Sequence, residues 1–433
     1  MSSLAEVKLW GRTIGAVYLD PSNQTADFEF QRDFQSSGIQ LSPLVMPLSP
    51  KIYSFPQLPQ NTFRGLPGLL ADSLPDRFGN ALIDAWLATQ GRSPDSFNAI
   101  ERLCYTGSRG MGALEFAPAL GPKSRKAQQI EIDQLVALAS TILQERDELH
   151  GSFSSGHTEE ALKDILRIGT SAGGARAKAV IAWNPETNEV RSGQVDADPG
   201  FEHWLLKFDG VTGNRDKELA DPKGYGVVEY AYHRMAVAAG ITMNPCRLLE
   251  ENKRRHFMTR RFDRPSGKEK LHMQSLCALA HFDFNLAGAY GYEQVFQIIR
   301  QLGLGMASIE EQFRRMVFNV MARNQDDHVK NIAFLMDKSG QWSLAPAFDV
   351  IYSYNPTGKW TSIHQMSLNG KRDEFTMEDF IRCGKRISIQ KNRLLRMIEI
   401  VRDAVSRWSV FAQEAGLNRQ WSKQIEKNLR LIR

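Results

Sequence analysis

The strongest constraint on this chain is a short polar island, Asn324-Gln325-Asp326-Asp327-His328-Val329-Lys330-Asn331. An apolar run, Ile332 to Met336, connects it to a second acidic site at Phe348-Asp349. Two carboxylates and a carboxamide are hard oxygen donors, suited to a magnesium ion that keeps several waters and bridges nucleotide phosphates. One further carboxylate is left to orient a hydroxyl nucleophile. Just before the island, Phe313, Met316, Val317, Val320 and Met321 recur at helical spacing, so the island should leave a buried helix, which would anchor it. Taken alone, such an Asn- and Asp-rich stretch reads first as a polar surface turn between a helix and a strand.

Partners upstream change that balance. Gly169-Thr170-Ser171-Ala172-Gly173-Gly174-Ala175-Arg176-Ala177-Lys178 precedes an alternating segment, Ala179 to Trp183. Its glycines permit close backbone approach to phosphate oxygens, and Lys178 adds a point charge. Lys207 interrupts the strand-like run His203-Trp204-Leu205-Leu206-Lys207-Phe208 and should project from the sheet face opposite Leu206 and Phe208. Either feature alone fits a flexible turn or a solvent-facing lysine. Their order matters more: glycine turn, strand lysine, acid-to-Asn loop and later Asp follow one another as in a kinase. There the base Asp precedes a magnesium-binding Asn by five residues, as Asp326 precedes Asn331.

On these residues the chain resembles the HipA family of serine/threonine kinase toxins from bacterial toxin-antitoxin modules. The matching stretches are Ser171 to Lys178, Lys207, Arg260-Arg261-Phe262-Asp263-Arg264, Asp326 to Asn331 and Phe348-Asp349-Val350. The resemblance implies an α+β, protein-kinase-like two-lobed fold with a mixed N-lobe, a mostly helical C-lobe and an extra N-terminal β-rich subdomain. It implies ATP and Mg2+ as cofactors and Asp326 as catalytic base, with His328 and Lys330 in the same motif. Asn331 and Asp349 would hold the metal. Nucleotide contacts would come from Ser171, Gly173, Gly174, Lys178, Lys207, Arg260, Phe262, Asp263 and, more weakly, Gln274. Ser171 aligns with the serine whose autophosphorylation inactivates the family's toxins. A phosphate there would repel the nucleotide that the loop should wrap. The implied partners are a HipB-like helix-turn-helix antitoxin, an aminoacyl-tRNA synthetase as protein substrate, and operator DNA only through the antitoxin complex. The sequence departs from the family pattern at Gly173, Arg176, Ala177 and Arg260. Two other functions fit the same acid-Asn-acid set: a small-molecule kinase on a related fold, and a catalytically silent DNA-binding corepressor.

The remaining bounds agree with a cytoplasmic enzyme. A chain of 433 residues, 42% hydrophobic, can bury a large core, and no run nears the roughly 18 apolar residues of a membrane span. Fifty-four basic against 49 acidic residues leave a net charge of +5, too little to argue direct nucleic-acid binding. Cys104, Cys246, Cys277 and Cys383 are isolated and read as reduced core thiols. The expected divisions are an N-terminal subdomain at 1–120, a linker and connecting helix at 121–157, an N-lobe at 158–264 and a helical C-lobe at 265–433. Within the last, Ser388 reads as the N-cap of a helix carrying Leu394, Ile398, Val401, Val405 and Trp408.

Overall fold

The computed structural model describes residues 3–121, 132–144, 176–193, 199–211, 215–216, 219–220, 223–266 and 269–432. The chain begins with an antiparallel five-stranded sheet. Its spatial order is Tyr53–Ser54, Thr25–Phe30, Arg12–Asp20, Leu4–Leu9 and Leu114–Ala117. Strand Leu4–Leu9 shows why it forms: Ala5, Val7 and Leu9 are buried while Leu4, Glu6 and Lys8 face outward, the two-residue period of a half-buried strand. Helices Arg77–Thr89 and Ala99–Thr106 intervene before the last strand. Asp76 caps the first by accepting from Gly79 N at 2.6 Å, and Asn98 and Glu101 form a capping box on the second.

A second antiparallel sheet has the order Cys246–Glu251, Arg254–Arg260, Glu202–Lys207, Lys178–Trp183 and Val190–Ser192. Strand Lys178–Trp183 is buried at every position because the sheet is covered on both faces. On one face Ala179, Leu206 and Met258 pack against Phe78 and Leu82 of helix Arg77–Thr89 and Leu135 of helix Ile132–Gln144. Helix Tyr225–Ala238 packs on the other, the face to which Lys207 projects, as the alternation predicts.

Beyond this sheet the chain is mostly helical, built on Met306–Met321, Lys391–Ser406 and their neighbours. A small sheet is inserted, with His272–Ser275 and Trp342–Leu344 flanking Ala333–Met336. Met316, Val317, Val320 and Met321 are fully buried, so the polar island does leave a core helix. The later apolar stripe is also core, but its ends differ from expectation. Ser388 lies at φ +67°, its N–H satisfied by Lys385 O, and closes the preceding helix; Gln390 caps the next. That helix stops at Ser406, and buried Trp408 opens a new one. All four cysteines are buried. Among the described residues, no helix is long and apolar enough to cross a membrane.

The N-terminal sheet and the helical part share one continuous core, and polar contacts fix their relative placement. Asp72 accepts from Ser275 N at 2.6 Å and from Ser275 Oγ at 2.8 Å, and Gly68 N donates to His281 Nε2 at 3.0 Å. Asp263 is fully buried. It takes hydrogen bonds from Arg261, from Arg264 and from Gly112 N, the last at 2.7 Å. Gly112 is at φ +76°, and a Cβ there would sit 2.9 Å from Met273 N, so only glycine allows this approach. Burial pushes the Asp263 carboxyl up, but Arg261 and Arg264 outweigh it and hold it well below its ordinary value. Removing the acid strands two buried guanidinium groups. Asp263→Ala should therefore cost about 3–5 kcal/mol in denaturant unfolding, the usual loss on breaking a buried pair; a change below about 1 kcal/mol would refute the staple.

Candidate active site

Helix Met306–Met321 ends at Ala322, and Arg323 at φ +57° turns the chain into the polar island. The loop is then held from behind by one hydroxyl. Ser353 Oγ accepts from Gln325 N at 2.8 Å and Asp326 N at 3.0 Å, and donates to Asn324 Oδ1 at 3.2 Å. The two adjacent aspartates point apart. Asp327 is buried and receives Tyr292 OH at 2.6 Å and Gln365 N at 2.8 Å, with His364 Nδ1 2.9 Å away. Burial alone would raise its pKa, yet His364 and these hydrogen bonds hold it below its ordinary value. Asp327 is the loop's anchor, which leaves Asp326 as its outward, partly buried carboxylate.

Around Asp326 the motif closes on itself. Asn331 Nδ2 donates to Asp326 O at 2.9 Å, which turns the Asn331 amide oxygen away from the loop, available to a cation. His328 Nε2 lies 3.7 Å from Asp326 Oδ2, and Trp360 Nε1 donates to Asp326 Oδ1 at 2.8 Å. Lys330 Nζ lies 5.0 Å from the centre of the Phe284 ring.

Asp349 sits at φ +50°, a conformation uncommon for a residue with a side chain and one that clusters at functional sites. Its Oδ1 accepts from Lys207 Nζ, and the same ammonium lies 2.5 Å from Glu229 Oε1 on helix Tyr225–Ala238. Arg176 lies 3.8 Å from Glu229 Oε2 and stacks on the Tyr225 ring at 4.0 Å. Burial works against charge on Asp349, but Lys207, Lys178 and Arg176 outweigh it and hold its carboxyl down to about 2. Burial likewise works against the Lys207 ammonium, and Asp349 and Glu229 more than offset it, so its pKa is raised. His328, Asn331 and Asp349 line one cavity of about 30 Å³, backed by Phe318, Ile241 and Val350.

The loop of the expected base thus brings Asn331 to the cavity that Asp349 lines, and Asp349 is tied to the strand lysine. Other expected site residues fall differently. Lys178 opens a strand, opposite Lys207 in register; it is buried and lies 3.4 Å from Asp76 Oδ2 of the N-terminal part. Asp263 has no room for a ribose, being spent on Arg261, Arg264 and Gly112 as described above. Gln274 is fully buried, on the strand face opposite Met273, whereas Met273, like Phe262 and Phe348, packs against Ala333, Leu335 and Ala345. It therefore points away from the cleft. Phe262 does reach the site's edge, its ring 5.7 Å from that of Phe348. Arg260 lies 3.3 Å from Glu202, and its carbonyl accepts from Asn244 Nδ2. Ser171, Gly173 and Gly174 lie outside the described residues.

Glu229, Asp327, Ser353 and Trp360 belong to the site without having been predicted. Glu229 carried the same signal as Lys207, a lone charge in an apolar run, Val227-Val228-Glu229-Tyr230-Ala231. The other three are placed by contacts that no short-range spacing encodes.

Comparison with known proteins covers both halves. Residues 5–117 match the HipA N-terminal domain, and residues 170–408 match the HipA-like C-terminal domain. The chain belongs to the HipA family. Its structure is similar to that of the HipA chain solved in the Shewanella oneidensis MR-1 toxin-antitoxin complex of HipA, HipB and operator DNA. The TM-score is 0.66 and the identity 16%, covering 98% of this chain and 96% of that one. The fold is accordingly the kinase-like α+β fold of HipA with its N-terminal β-rich region. A protein described as a putative kinase from Haemophilus influenzae is 24% identical over 187 residues, or 36% of this chain; the match spans about half of that relative, 53% of its length.

The depressed Asp349 pKa has a consequence for this HipA-family cleft. The carboxylate's contribution to stability is complete above its ordinary pKa of about 3.8 and is lost as pH falls toward about 2. Urea unfolding of the wild type should therefore weaken between those values more steeply than that of Asp349→Asn. Parallel curves would contradict the pairing with Lys207.

Proposed function

We propose that this HipA-family chain is an ATP- and magnesium-dependent protein kinase acting on serine or threonine hydroxyls, and the toxin of a toxin-antitoxin pair. The observation that carries the reading is the meeting, from four separate stretches, of the Asp326–Asn331 loop with Asp349, Lys207 and Glu229, Asn331 and Asp349 lining one cavity. Each has a distinct task. Glu229 orients the Lys207 ammonium toward nucleotide phosphates. Asn331 and Asp349 supply the hard oxygens for the metal, which when bound neutralises charge on the β- and γ-phosphates. Asp326 accepts the proton of the acceptor hydroxyl as its oxygen bonds to the γ-phosphorus. The bond between that phosphorus and the bridging oxygen breaks, and ADP leaves. Lys330 balances charge on the transferring group, and His328 supports the loop locally. Phe262 and the backbone near Arg260 border the adenine.

Family membership supports a HipB-like helix-turn-helix antitoxin as partner, with operator DNA met through that complex. It also supports an aminoacyl-tRNA synthetase as protein substrate, whose modification would halt tRNA charging, and control by phosphorylation of the chain's own Ser171. Purified protein given γ-labelled ATP and magnesium should label itself. Asp326→Asn should slow this by about 10²- to 10⁴-fold, the usual contribution of a general base, and Ser171→Ala should abolish it. Wild-type labelling by Asp326→Asn would overturn the assignment of the base. Undiminished labelling of Ser171→Ala would move the acceptor elsewhere.

A further inference from the structure

Trp360 lies on the segment that follows Asp349, and its indole N–H, a donor with a single hydrogen, is directed at Asp326 Oδ1 at 2.8 Å. The ring is only partly buried, so water could have satisfied that N–H. The backbone around it is held by hydrogen bonds. Asn355 N donates to Thr361 O at 3.2 Å, and Gly358 N to Asn355 O at 3.1 Å. Trp360 O accepts from Gln365 Nε2, while Gln365 N donates to Asp327 Oδ1 at 2.8 Å. One segment therefore holds both neighbouring aspartates: Asp327 through the Gln365 backbone and Asp326 through the Trp360 side chain.

A carboxylate attached through one rotatable bond presents either oxygen with little preference unless something selects between them. The Asp326 backbone is already tied at its N–H by Ser353 and at its carbonyl by Asn331. The carboxylate itself turns about the Cβ–Cγ bond; His328 Nε2 stands 3.7 Å from its Oδ2, and the Trp360 N–H engages Oδ1 at 2.8 Å. On the proposed kinase reading, we infer that Trp360 is a positioning residue of the hydroxyl-acceptor subsite. It fixes the plane of the Asp326 carboxylate so that an acceptor O–H approaching the γ-phosphorus meets an oriented oxygen. The step is the one already written: the acceptor oxygen–phosphorus bond forms, the bond from phosphorus to the bridging oxygen breaks, and the proton passes to Asp326. Trp360 exchanges no proton and touches no phosphate.

The test is single-turnover self-labelling of the full chain with γ-labelled ATP and magnesium. Trp360→Phe keeps the ring and removes the donor. Its labelling rate should fall about 10- to 100-fold, the scale of misplaced catalytic groups, with half-saturating ATP unchanged within about twofold and an unaltered thermal midpoint. Trp360→His keeps a ring N–H and should recover part of the rate. A Phe variant as fast as or faster than the wild type would overturn the inference, making the contact idle or obstructive. So would a rise in half-saturating ATP matching the loss of rate, or an equal loss in Phe and His variants, since either marks a purely structural ring. Asp326→Asn in the same assay separates the levels. If the wild type does not label at all, the kinase reading itself fails; if Asp326→Asn labels normally, the assignment of the base fails and the role of Trp360 with it; if Asp326→Asn is inactive while Trp360→Phe is normal, only the role of Trp360 fails.

Discussion

Lys207 reaches from the second sheet to Glu229 on the helix behind it and to Asp349 on the segment that follows the small sheet, so one ammonium ties three elements together. Groups so enclosed are stable only as a set: two carboxylates this close would repel, and a buried ammonium alone would shed its proton. The side chain is only 11% exposed, which makes the pairing strong and directional rather than a screened surface contact. From that junction the geometry of the cleft follows. The left-handed backbone at Asp349 turns its carboxylate toward Lys207, and the same cavity receives Asn331 and His328 from the island.

The N-terminal part is built into this arrangement. Its core is continuous with that of the helical part, and its polar groups stand at places the kinase-like portion needs fixed. Asp72 holds Ser275, the residue that caps the helix after strand His272–Ser275, Gly112 approaches Asp263, and Asp76 pairs with Lys178 on the second sheet. Contacts of this kind hold one placement of the two parts, and a rigid frame keeps catalytic groups in register better than mobile loops would.

What could be read from the sequence divides along the range of the forces involved. Asp326, Asn331 and Asp349 were legible because a short loop and strand fix their separation, and Lys207 because strand alternation fixes the face it occupies. Asp263 was not. Its role is set by Gly112, 151 positions away, and by two arginines whose charges it must neutralise. Gln274 follows the strand's alternation, but which face meets the cleft depends on where Phe262 and Phe348 pack. Asp326 and Asp327 are the same residue side by side, and only Tyr292, His364 and Gln365, all distant in sequence, decide which one turns inward. Ser388 was misjudged for a local reason: a serine can cap a helix, but this one is needed to end the helix before it.

The central claim is that the junction at Lys207 exists to grip a metal-bound nucleotide triphosphate. Equilibrium binding of a non-hydrolysable ATP analogue, with and without magnesium, to the wild type and to Lys207→Met tests it most directly. The account predicts magnesium-dependent binding by the wild type and at least about tenfold weaker binding by the variant, the loss of one charge-assisted contact. Equal affinities, or binding by the wild type that ignores magnesium, would contradict it.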